Sequence, residues 1–384
     1  MSRKIKIAAI QMDANPAPTV ERLERAERLV TQAAEAGAEL VVLPELFNTG
    51  YTYDDENHRR AEVLDGPTAT WIKDTAARLK IHLAGSLMLL DQVEVYNALL
   101  LYAPDGRMWR YDKNYPWGWE RGYFRDGKDI TVAHTDLGRM GMMICADVGH
   151  LDLWRRYAGQ VDLMLVSSCP PDIGKGMVYF PGGEQVALEQ MGPLLASVKD
   201  AAPLMFGKML NEQSAWLGVP AVNTVGTGRI TSAIPHGTLL LLALLPFAPW
   251  LTRYLTQASQ ARIVCDMTPG CKVIDASGHV LAELTQAQGE AFALAEVTLA
   301  DRRPQPSGVQ PPSRLSLFVY LASDVLLPRL AVPTYRRGLR RVWGQEMAPF
   351  EMSTRQWMAL LGASAAAGVL MGLLFKQRTR CKQR

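Results

Sequence analysis

Apolar and polar positions follow two different periods along the first 170 residues. Residues 5–12 start with Lys6 between isoleucines and then turn continuously apolar, the pattern of a strand that ends up buried. Residues 18–36 switch to a helical spacing, with Leu23, Ala26, Val30, Ala33 and Ala34 on one face, Arg and Glu on the other, and Gly37 placed to end the helix. Residues 39–43 predict the next strand, and residues 67–80 a second amphipathic helix with Pro67 in its first turn. Strands follow at 81–90 and 94–103. Pro104-Asp105-Gly106 signals a turn before a strand at 107–112. Another strand leads to Cys145, and a helix at 148–158 and a strand at 161–167 complete the unit. This β-α-β rhythm predicts a layered α/β architecture.

The pattern then breaks twice. Residues 237–251, GTLLLLALLPFAPWL, form an apolar run interrupted by Pro246 and Pro249, inside an insertion near 231–262. It is too short and too proline-broken for a regular membrane span, and is expected to be an interface-inserting loop. Residues 302–314 carry Pro304, Pro306, Pro311 and Pro312 and predict a linker that closes a domain covering 1–301. Beyond it, residues 315–384 predict a membrane-associating region. Residues 315–333 are apolar but contain Asp324 and Arg329, which are costly in lipid, so this stretch is expected to lie amphipathically on a surface. Residues 358–375 carry no charge, Trp357 precedes them and five basic residues follow, as for a transmembrane helix with interfacial flanks. Gly362/Ala366 and Ser364/Gly368/Gly372 repeat small residues every four positions, which suits close helix pairing in lipid.

Composition narrows the function classes. The chain has 384 residues, of which 48% are hydrophobic, enough for a large core. A net charge of +3 gives no global attraction to nucleic acid, and no nucleic-acid partner is expected. The five cysteines show no zinc spacing, and none of the other motifs requires a metal or cofactor. Cys169, Cys265, Cys271 and Cys381 are expected as free thiols of a reducing compartment. The N-terminus runs straight into a strand without a signal-peptide apolar core, so the catalytic part is expected on the cytoplasmic side of a membrane.

Three strand ends carry candidate chemistry. Gly141-Met142-Met143-Ile144 stops at Cys145, followed by Ala146-Asp147 where a helix is expected, so that the helix dipole would favour thiolate. Asp147 reads as the cap of that helix. The strand in LVVLPELFNTGY (40–51) ends at Glu45, and the one entering WRYDKNYPWGWE (109–120) ends at Lys113, with Glu120 seven positions on. Together these are the parts of nucleophilic acyl chemistry. Cys145 would attack, Glu45 would take and return its proton, and Lys113 with the Ala146 amide would face the oxyanion. Cys169 reads as a structural thiol, and His134 and His150 are not needed.

These segments, in this order, resemble the nitrilase superfamily of carbon–nitrogen hydrolases with a Glu-Lys-Cys triad. IKIAAIQMDANP (5–16) resembles that family's first strand and loop. VDLMLVSSCP (161–170), VPAVNTVGTG (219–228) and CKVIDASGHVLAEL (271–284) resemble its later strands and hairpin. The resemblance covers roughly residues 4–300. It implies a four-layer α-β-β-α sandwich that pairs into a homodimer or higher oligomer, here extended by the apolar insertion and a C-terminal hydrophobic helix. It also implies amide hydrolysis through a Cys thioester on a small or amphiphilic amide, with Glu120 positioning substrate and lysine. Alternatives are transfer of the same acyl group to an amine, nitrile hydrolysis, or a non-catalytic membrane scaffold. The segment Ala146-Asp147-Val148-Gly149-His150 lacks the aromatic-rich form common in ω-amidases and ureidopropionases, which leaves the substrate class open.

Overall fold

Segments that read as continuously apolar are strands buried on both faces. The structure is a computed structural model and describes residues 3–196 and 198–343. The predicted span at 358–375, its flanking Trp357, the basic tail and Cys381 lie outside the described residues.

The first five strands, β1 (Arg3–Asp13), β2 (Leu40–Val42), β3 (His82–Asp91), β4 (Glu94–Tyr102) and β5 (Met108–Asp112), form one sheet in that spatial order. Two late strands, Val225–Thr227 and Ala291–Leu299, join it at β1. A second sheet runs through β6 (Val132–Thr135), β7 (Gly138–Ile144), β8 (Leu163–Ser167), Ala221–Asn223, Cys271–Ile274 and Val280–Leu284. Side-chain alternation distributes the first sheet between two cores. Ile5, Ile7, Ala9, Leu40, Val42, Leu99 and Leu101 face the second sheet's Met140, Leu163, Leu165 and Val273. Ala8, Ile10, Val41, Leu43, Leu83 and Leu100 pack instead under the helices Thr19–Glu35 and Pro67–Leu79.

Both of those helices match their sequence spacing, and Gly37 takes the left-handed φ of 92° just past the first. One residue departs from it. Arg22, expected on the polar face, is 2% exposed and donates to the Phe47 and Asn15 carbonyls at 2.6 and 2.8 Å. The late motif 219–228 is also not one strand. It leaves the second sheet after Asn223 and enters the first at Val225, so Thr224 crosses between them.

A third, four-stranded sheet was not visible in the sequence pattern. It orders Gln185–Ala187, Met177–Tyr179, Arg262–Asp266 and Arg229–Ala233. The apolar insertion covers it. That run is not a loop: Gly237–Leu244 is a helix, and Leu241, Ala248, Leu251 and Tyr254 are buried against Val178 and Phe180. Leu242 and Trp250 remain exposed.

The proline-rich stretch 302–314 is laid over the domain rather than hanging free. Ser307 N–H donates to the Trp216 carbonyl at 2.9 Å, Gln310 to Leu151 at 3.0 Å, and Arg314 pairs with Glu212. Residues Leu317–Trp343 then form one 27-residue helical run with a π-turn at Leu321–Leu326. Val319, Ser323, Ala331, Tyr335 and Leu339, four or eight apart, make its buried face. Among the described residues this run alone is long and apolar enough to cross a membrane by length and composition.

Candidate active site

Glu45, Lys113 and Cys145 each sit just past the end of a strand, where the ladder stops and a side chain can turn into the space between sheets, and Glu120 lies in the short turn Gly118–Gly122. Glu45 follows β2 across Pro44, and the turn after it holds Leu46 at a left-handed φ of 53°. Its backbone is fixed by a bond from Glu45 N–H to the Ser168 carbonyl at 3.2 Å, and Ser86 Oγ accepts from Leu46 N–H at 2.9 Å. The Arg22 contact with Phe47 braces the same turn.

Lys113 follows β5. Its amide donates to the Asn97 carbonyl at 2.9 Å and its carbonyl accepts from Gly127 at 2.7 Å, so the loop cannot swing away. The ammonium is fully buried and bridges two carboxylates, Glu45 Oε1 at 2.7 Å and Glu120 Oε2 at 2.6 Å. Asn97 Nδ2 donates to Glu45 Oε1 at 2.7 Å, and the Cys169 amide donates to Glu45 Oε2 at 3.1 Å. Glu120 accepts from Tyr51 and from the Trp117 amide at 2.9 Å. Both glutamates are 1% exposed. Such a Glu–Lys–Glu group carries one net negative charge, so it can accept a proton more readily than a balanced pair.

Cys145 ends β7 on a single tight turn, Cys145–Gly149, with a φ of +50° that L-residues rarely adopt. Strain of about 1–3 kcal/mol at one residue is typical of functional turns and persists where surroundings over-determine it. Asp147 does much of that. It is fully buried and does not simply cap a helix. It accepts from Ile144 N–H at 3.0 Å, from Tyr115 N–H at 2.9 Å and from Tyr111 O–H at 2.7 Å. The cysteine turn and the lysine loop are thereby locked to one carboxylate.

The expected thiolate is not what the environment favours. The regular helix after Cys145 is delayed to Leu151–Tyr157, seven residues long, so little dipole bears on the sulfur. Burial first, then the Glu45 and Glu120 charges, push the Cys145 thiol well up, against the pull of Lys113. Burial also raises Glu45, which Lys113 opposes and Glu120 reinforces. Burial works to lower Lys113, but the two carboxylates outweigh it and hold the ammonium well above its usual range. The resting arrangement is therefore a neutral thiol in hydrogen-bonding reach of Glu45. Two of the three lysine protons are directed at the carboxylates. Ala146 lies beside Cys145 on the wall of an adjoining cavity of about 710 Å³.

Several contributors escaped the sequence pattern. Cys169 is buried and holds Glu45 through its backbone. His150 ties the nucleophile turn to the C-terminal helix: its ring nitrogens lie 3.0 Å from the Ala146 carbonyl and 3.0 Å from Asp324, and the ring stacks on Tyr115 at 3.5 Å. Ser323 meets the Gly118 amide at 3.2 Å, and its carbonyl accepts from Arg121 at 2.9 Å. Asp324, costly in lipid, is instead shared by His150 and Arg121. Only distance in sequence hid these pairs. His134 is exposed on β6 and takes no part. Among the described residues no cluster of three or more His, Cys, Asp or Glu side chains is arranged to hold a metal ion.

A mixed α/β fold thus gathers a buried glutamate, lysine and cysteine at strand ends around a cavity. Residues 6–179, which hold all four candidate side chains, match the model of the carbon–nitrogen hydrolase family. The nitrilase of Pyrococcus abyssi is 32% identical over 148 residues, 37% of this chain and 56% of that protein. The chain thus spans little more than half the length of that relative. A carbon–nitrogen hydrolase superfamily protein of Xanthomonas campestris, with an arsenic adduct in its active site, superposes with a TM-score of 0.55 at 18% identity, over 78% of this chain and 91% of its own. A mutant amidase of Nesterenkonia sp. AN1, in which acrylamide has added to the active-site cysteine, gives 0.54 at 17% identity, over 76% and 92%. These likenesses extend the nitrilase-type fold beyond the matched residues.

Proposed function

We propose that this chain is an amidase-type carbon–nitrogen hydrolase that cleaves an amide through a thioester on Cys145. The observation that carries this reading is the buried Lys113 bridging Glu45 and Glu120 beside a cysteine held at positive φ. Glu45 takes the thiol proton as Sγ bonds to the carbonyl carbon. The oxyanion forms against Lys113 and the Ala146 amide. The C–N bond breaks as Glu45 returns the proton to nitrogen, and ammonia or an amine leaves. Water then attacks the thioester, Glu45 takes its proton, and the acid leaves with the thiol restored. Glu120 orients Lys113. The helices on the first sheet, with Leu151–Tyr157 and Leu210–Leu217 near the second, support a four-layer α-β-β-α reading.

The protein is further read as membrane-associated, with the site on the cytoplasmic side. Exposed Leu321, Val325 and Leu326 on the C-terminal helix run into exposed Arg329, Arg337 and Arg341, an apolar row with a basic end suited to an anionic bilayer surface. The uncharged stretch 358–375 adds a spanning anchor to that surface contact.

The test is amide turnover by the full chain and by Cys145→Ala and Glu45→Gln. Loss of at least about a thousandfold in kcat is expected for each. Substantial turnover by Cys145→Ala would remove the covalent mechanism.

A further inference from the structure

The cavity at Cys145 is far larger than a small amide requires. Its volume is about 710 Å³, within the roughly 300–1,000 Å³ of sites that enclose drug-sized ligands. The polar groups gather at the thiol end, where Glu120, Tyr51 and the Cys145 turn meet it. From there the lining becomes hydrocarbon: Met191 and Phe206, Leu240 and Leu244 of the insertion, Leu327 and Leu330 of the C-terminal helix. The walls join two separate hydrophobic clusters. Cys145 and Phe206 belong to the core between the sheets, whereas Phe180 and Leu241 belong to the cluster under the third sheet. The space therefore extends from the reacting sulfur into a second core. Asp172 and Lys199 also reach the lining, but each is paired, with Lys175 and Glu189 respectively. The two segments that complete the apolar walls are those the sequence marked as additions to the hydrolase pattern.

Resting on the thioester reading above, we propose that the substrate is an amide of a long-chain fatty acid whose hydrocarbon tail fills this cavity. A tail on the acyl side fits better than one on the amine side. The amine fragment departs when the C–N bond breaks, whereas the acyl chain stays tethered to Sγ until water attacks, so the walls beside Cys145 hold the acyl tail through both steps. The chemistry is hydrolysis throughout: the S–C bond replaces C–N, water then replaces S–C, and a fatty acid and an amine are released.

The test is a chain-length series of primary amides, from butyramide to decanamide, on the full-length protein in lipid nanodiscs. N-alkyl acetamides of matching length place the same chain on nitrogen. Calorimetric Kd values on Cys145→Ala cover the same compounds. Each added methylene is expected to raise kcat/KM, and to tighten Kd, about fourfold, the equivalent of ~0.8 kcal/mol. The N-alkyl series stays flat. Leu240→Trp, which narrows the wall, lowers the decanamide-to-butyramide ratio. Equal turnover of all chain lengths would overturn the acyl-chain site while leaving the thioester reading intact. A rising N-alkyl series with a flat acyl series would overturn the choice of acyl side. No turnover of any amide, with Kd still tightening along the acyl series, would keep the cavity's occupant and sink the hydrolysis reading.

Discussion

At the scale of single residues, the site is a charge arrangement whose parts are not equally replaceable. Glu45→Gln keeps the shape and the Asn97 contact and is expected to cost activity more than fold. Lys113→Ala differs. It leaves Glu45 and Glu120 facing each other without a cation, and removing one partner of a buried ion group costs about 3–5 kcal/mol. Urea unfolding should therefore show Lys113→Ala strongly destabilised and Cys145→Ala close to the parent. Equal stability of the two would mean that the lysine bridge contributes little in solution. A second buried lysine gives a pH signature. Burial pushes Lys272 down to about 8, and its ammonium reaches Asn211 Oδ1 at 2.7 Å. Between about pH 8 and 10.5 the unfolded chain holds this proton and the folded chain does not, so stability rises with pH across that window, by about 3 kcal/mol at most. Lys272→Met should lack that rise. Parallel pH–stability curves for the two proteins would contradict the assignment.

Among the elements, legibility followed length and locality. β1 and β7 were readable because their apolar runs exceed what a one-sided strand needs; Glu45 and Cys145 were readable because each follows an apolar run, and Lys113 because the turn signal at 104–106 marks the strand before it. The third sheet was not: Met177–Tyr179 and Gln185–Ala187 are three residues each, too short for any period. The C-terminal helix showed its amphipathic spacing, but not that its inner face would close on the site through Ser323 and Asp324. Nor did the pattern reveal how near it comes. A Cβ on Gly338 would lie 2.1 Å from His58 Nε2, so this position admits only glycine at that approach. Gly338→Ala should lift the helix end and cost about 1–3 kcal/mol, with protease cleavage after Arg337 or Arg340 rising several-fold. Unchanged proteolysis and unchanged stability would show that the helix does not seat on His58.

For the whole molecule, the segments after the proline-rich stretch divide between the cavity wall and the membrane contact. A chain ending at residue 343 keeps the cavity wall and should retain activity. One ending at residue 314 loses Ser323, Asp324 and the apolar wall, and should lose most of it. Membrane attachment follows different segments. The full chain should sediment with membranes, resist high salt and need detergent for release, since salt screens charges but does not extract an inserted helix. The chain ending at 343 should bind more weakly through Leu321, Val325, Leu326 and Trp250, and need salt plus low detergent. A full chain that stays in the supernatant without detergent would exclude the anchor. The central claim, a thioester on Cys145, is tested most directly by peptide mass mapping of enzyme quenched in acid during turnover of an amide. The account predicts the acyl mass on the peptide holding Cys145, with Cys169, Cys265 and Cys271 unmodified and the adduct absent from Cys145→Ala. Steady turnover with no acyl mass on that peptide, or an adduct that survives Cys145→Ala, would contradict it.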